Sequence, residues 1–89
     1  MHPLFDKELQ QKIINLYKNN PYNVIDDSAK DSDELNIISK NFEILKSEYH
    51  SLKFNTNLQY LIGENILELK SRNTYCLTHE YIKTHLASN

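Results

Sequence analysis

Residues 55–86, N-T-N-L-Q-Y-L-I-G-E-N-I-L-E-L-K-S-R-N-T-Y-C-L-T-H-E-Y-I-K-T-H-L, constrain the fold more than any other part of the chain. Leu58, Leu61 and Ile62 have the spacing of the buried side of a short helix, with Thr56 and Gln59 spaced as its capping box. Gly63 and Asn65, the residue types most tolerant of left-handed backbone, then stop it. Leu67 and Leu69 alternate with Glu68 and Lys70, and Thr74-Tyr75-Cys76-Leu77 is rich in strand formers. Ser71-Arg72-Asn73 is therefore expected at the tip of a hairpin. Thr78 is placed to cap a final helix whose Tyr81, Ile82, His85 and Leu86 return to the core.

The first half supplies helices to pack against this unit. Phe5, Leu9, Ile13, Leu16 and Tyr17 form an amphipathic stripe that predicts a helix from about Asp6 to Lys18, ended by Asn19-Asn20-Pro21. Tyr22-Asn23-Val24-Ile25 is a candidate third strand for the hairpin sheet. Residues 26–34 hold five acids and one lysine and suggest a solvated loop, with Asp31 and Glu34 spaced as a capping box. Leu35, Ile38, Phe42, Leu45 and Tyr49 predict a second helix over about 33–49, and Ser51-Leu52-Lys53-Phe54 a connection to the third. The expected class is mainly α with a small β-hairpin, α+β, in one domain spanning 1–89.

At 89 residues the core is modest and near the size where a partner subunit helps, which makes a homodimer an expectation. No apolar run is long enough to span a membrane, and the N-terminus lacks the basic head and apolar stretch of a secretory signal. The single cysteine, Cys76, cannot close a disulfide within the chain. These features lead us to expect a cytoplasmic protein.

Residues 58–78 resemble the winged helix-turn-helix superfamily of small bacterial and phage regulators. In that family a helix ends in a segment like L-x-x-x-G-L-I and a wing strand ends in Y-x-L-T. The matching residues here are Leu61-Ile62-Gly63-Glu64-Asn65-Ile66-Leu67 and Tyr75-Cys76-Leu77-Thr78. Asn65 stands where the pattern has glycine, and Tyr81 stands near the family's later glycine. The resemblance implies a winged helix-turn-helix fold, with the third helix in the major groove of double-stranded DNA and the wing on phosphate.

On that expectation Asn55, Thr56, Asn57, Gln59 and Tyr60 are the base-reading candidates, because Asn and Gln make paired hydrogen bonds to adenine. Lys53, Lys70 and Arg72 are the candidates for phosphate contact. The charge balance tempers this. The chain carries a net −2; residues 1–45 hold five lysines against eight acids, and residues 46–89 five basic groups against four acids. The alternative is an adaptor or inhibitor that binds another protein through the acidic 26–34 loop and the aromatics Tyr22 and Tyr49.

Cys76, His79 and His85 raise the question of zinc, but a fourth ligand is missing. The Asp26–Glu34 cluster lacks the glycine and terminal Glu of a calcium loop. With one glycine there is no phosphate-binding loop, and no nucleophile elbow appears. We expect no metal, no cofactor and no enzymatic activity: a DNA-binding transcriptional regulator first, a protein-binding module second.

Overall fold

The computed structural model describes residues 3–27, 36–71 and 73–86. Along the chain run α1 (Lys7–Asn15), β1 (Ile25–Asp26), α2 (Ile37–Ser47), α3 (Ser51–Gly63), β2 (Leu67–Ser71), β3 (Thr74–Leu77) and α4 (His79–Tyr81), which continues as a π-helical turn over Ile82–Leu86. Among the described residues, four helices and a three-stranded antiparallel sheet, in the order β1-β3-β2, make this an α+β domain. No described helix is long and apolar enough to cross a membrane.

Helix α1 starts where Asp6 takes an extended conformation and its carboxylate accepts the Glu8 and Leu9 amides. It is shorter than its stripe suggests. After Asn15 the amides of Leu16, Tyr17 and Lys18 bond three residues back, a tightened exit turn that still delivers Tyr17 to the core. The buried Tyr17 hydroxyl donates to the Tyr75 carbonyl at 2.9 Å, tying α1 to β3. Burial pushes that phenol well above the ordinary tyrosine range, so it remains a donor.

The core lies where α1, α2 and α3 meet the inner side of the sheet. Phe42 of α2 contacts Phe54 of α3 edge-on at 5.4 Å and Tyr75 of β3 at 5.8 Å, while Leu9, Ile13, Leu58, Leu61, Leu67 and Ile82 close around them. Ile38, Phe42 and Leu45 are buried as the second stripe requires, whereas Leu35 and the Asp31–Glu34 pair lie outside the described residues. The cap of α2 is Asn36, whose side chain accepts the Ser39 amide at 2.9 Å.

Besides α1 and α2, the latter covering Ile37–Ser47 rather than about 33–49, three boundaries differ from expectation. Residues 51–54 are the first turn of α3, so Thr56 and Gln59 sit inside the helix and cap nothing. His50 takes the cap, its Nδ1 accepting the Leu52 amide at 3.2 Å. An earlier start extends the buried stripe to Phe54, and burying a whole phenyl ring outweighs a capping hydrogen bond. The first strand is two residues, displaced to Ile25–Asp26, with Ile25 opposite Tyr75 and Asp26 opposite Thr74. In the last helix Ile82 is buried, but the π turn carries His85 and Leu86 outward, and His85 stacks on Tyr81 at 4.4 Å.

The hairpin and its entry follow the sequence closely. Asn65, at φ 63°, closes α3: the Ile66 amide bonds the Leu61 carbonyl and the Asn65 amide the Ile62 carbonyl, a Schellman arrangement. Gly63 ends α3 without a positive φ and makes no use of its conformational freedom. Asn73, at φ 62°, turns the hairpin. Thr78 accepts the Tyr81 amide at 3.1 Å and donates to the Asn65 carbonyl at 2.7 Å, so one hydroxyl caps α4 and clamps the hairpin base.

Candidate nucleic-acid interface

Helix α3 is held from beneath by Phe54, Asn57, Leu58 and Leu61, which decides what it shows above. Asn55 and Gln59, four residues apart on one face, are exposed, and Tyr60 lies beside them at 36% exposure. Thr56 is half-buried. The Tyr60 ring rests on Phe5 at 5.0 Å, and with Lys7 and Gln10 the pair lines a hollow of about 330 Å³ between α1 and α3. Leu52, 58% exposed, begins the same helix.

Asn57, expected on that exposed face, is a correction. It is fully buried, and both ends of its amide are occupied. Its Oδ1 accepts the Asp6 amide at 2.9 Å and the Gln10 Nε2 at 2.8 Å; its Nδ2 donates to the carbonyls of Leu4 at 2.9 Å and Lys53 at 2.8 Å. With no free donor or acceptor edge it joins α1 to α3. The spacing of Phe54, Leu58 and Leu61 places residue 57 on the buried side, a signal lost once the helix is started at Thr56.

The phosphate-contact candidates have neighbours of their own. Lys53 Nζ is 3.1 Å from Asp6 Oδ2 and 5.8 Å from the centre of the Tyr49 ring. That pair and the hydrogen bonds at the helix start hold the Asp6 carboxyl below its usual range, the Leu9 amide contributing most. Lys70 Nζ is 4.0 Å from Glu68 Oε2, with both side chains half or more exposed. Arg72 lies outside the described residues. Of the aromatics considered for a protein partner, Tyr22 is 65% exposed, whereas Tyr49 is half-buried, with Lys12 Nζ 3.1 Å from its hydroxyl.

Among the described residues no group of three or more His, Cys, Asp or Glu side chains is arranged to hold a metal. Cys76 is buried on β3, its Sγ 4.0 Å from Glu68 Oε2. Desolvation raises its thiol pKa and the Glu68 charge adds to the effect.

A second polar cluster, which the sequence did not bring to notice, joins α2 to the end of β1. Glu43 meets the Asp27 carboxyl, and Lys46 Nζ lies 3.1 Å from Asp27 Oδ2. Glu43 Oε2 is withdrawn from solvent and has no hydrogen-bond donor. The contact with Asp27, aided by burial, pushes the Glu43 carboxyl up to about 7. The Asp27 amide in turn donates to the Asn73 carbonyl at 2.7 Å, so the cluster abuts the hairpin turn.

No family model matches this chain, and no curated protein or solved structure is significantly similar to it.

Proposed function

We propose that the chain is a non-enzymatic winged-helix module that binds double-stranded DNA and regulates transcription, with α3 in the major groove and the β2–β3 hairpin beside phosphate. The element order and the sheet order β1-β3-β2 support the architecture, since a winged helix follows a helical trio with an antiparallel wing. One observation carries the assignment of the reading face: Asn55 and Gln59 project together from a helix whose opposite side is anchored in the core. Two amides one turn apart suit adjacent adenines.

Titration against a randomised duplex pool at low salt tests this. Asn55→Ala or Gln59→Ala should each cost about 1–3 kcal/mol on the selected site and little on random duplex, because only the selected site offers the matching base edge. Lys70→Ala should weaken all duplexes alike and make the salt slope shallower by about 0.9. Absence of binding to any duplex overturns the reading.

A second reading, a protein-binding adaptor, is favoured by the carboxylates already beside Lys53 and Lys70 and by Leu52 on the exposed side of α3. A complex that survives nuclease treatment and is lost in Leu52→Asp would support it over DNA.

A further inference from the structure

The two edges of the sheet are not alike. At one edge β1 has only two residues, too few to template another strand. At the other, β2 runs for five residues, Leu67–Ser71, and pairs only with β3; no described element pairs with its outer side. Such an edge offers a row of backbone donors and acceptors. Natural sheets guard such edges with charge, and β2 carries Glu68 and Lys70, which repel an arbitrary strand. Their order makes a particular exception. We propose that β2 pairs antiparallel with β2 of a second copy of this chain, about a two-fold axis through Leu69, forming a six-stranded sheet across a homodimer.

The register follows from symmetry. An axis at Leu69 sets Leu69 against Leu69, Leu67 against Ser71, and Glu68 against Lys70 of the second copy, twice over. Opposite charges directly across strands attract, so the segment L-E-L-K-S is complementary to itself in this register. A shift of one residue sets Glu68 against Leu69 and forfeits the pairing. Pairing to β3 slips by one residue near Lys70, yet Lys70 Nζ stays 4.0 Å from Glu68 Oε2, so both side chains share a face. On the opposite face Leu69, 51% exposed although it belongs to the alternation that buries Leu67, gains a second leucine as cover. The pairing does not rest on the DNA reading, although both use Lys70, and its test contains no DNA.

Sedimentation equilibrium over a range of concentrations, with the whole chain, reads the outcome. The wild-type chain should self-associate into dimers. Glu68→Lys and Lys70→Glu each turn two attractions into two repulsions and should raise the dimer dissociation constant by about tenfold. Both side chains are half or more exposed, so the monomer should fold in each variant, which circular dichroism checks. Mixing the two variants in equal amounts should restore association as a heterodimer, because each then meets the opposite charge. A wild-type chain that remains monomeric at millimolar concentration overturns the proposal, as do charge variants that dimerise like the wild type or a mixture that does not recover.

Discussion

Two of the places where the described residues withdraw polar side chains from water treat them oppositely. Between α1 and α3, Asn57 is completely buried, and its amide makes four hydrogen bonds between 2.8 and 2.9 Å. Between α2 and the end of β1, Glu43 has a carboxyl oxygen out of solvent with no donor and a second carboxylate, Asp27, as its neighbour. A neutral amide carries both donors and acceptors, so a protein cavity can satisfy it completely. An ionised carboxylate only accepts, and beside another acceptor a bound proton is what resolves the contact. The first arrangement is indifferent to pH, while the second is strong only while Glu43 is protonated.

The largest test of this contrast is Asn57→Ala. It removes the partner of the Asp6 amide and of the Gln10 side chain at the helix junction, and should cost roughly 2–4 kcal/mol, comparable with truncating a buried leucine such as Leu61. Urea unfolding should give the same loss on either side of neutrality. A loss that changes with pH would mean that the junction is coupled to a titrating group.

Glu43→Gln should act in the opposite direction and only at higher pH. The folded-state pKa of Glu43, about 7, lies above the ordinary 4.5. Its stabilising contribution is therefore complete below about pH 4.5 and is lost as pH rises through about 7. Glutamine can donate to Asp27 at any pH. The variant should match the parent near about pH 5 and exceed it near about pH 8 by roughly 1–2 kcal/mol, water having screened part of the shift. Equal melting-temperature differences at the two pH values would remove the shared proton from the account.

The smallest effect is expected from Lys46→Met. The Lys46 charge opposes the rise in the Glu43 pKa, so its loss should move the Glu43 titration to higher pH, observable by carbon-detected NMR of the carboxyl. A shift to lower pH would show that Lys46 acts mainly by holding Asp27 in place.

Most of the hairpin could be followed from sequence because its signals are local, although Ser71, expected at the tip, ends β2 opposite Thr74, and the register slip near Lys70 had no local signal. Asn65 adopts the left-handed backbone expected of it, Thr78 caps the helix that follows, and Leu67–Ser71 pairs with Thr74–Leu77 around Asn73. The exposed face of α3 was only partly legible. Asn55, Gln59 and Tyr60 are exposed as expected, but a short-range capping pattern at Thr56 concealed the true start at Ser51 and with it the burial of Asn57.

Amino-acid order alone determined the alternation of the strands, the stops between elements and the stripes on the helices, because each depends on residues within a turn or two of one another. Tertiary structure decided what those residues meet. Asn57 and Asp6 are 51 positions apart, and Glu43 lies in α2 whereas Asp27 follows β1. The same polar side chain is a solvated surface group or a buried link according to the backbone that folding brings beside it. Burial costs free energy until a partner replaces water, and only the assembled fold supplies that partner.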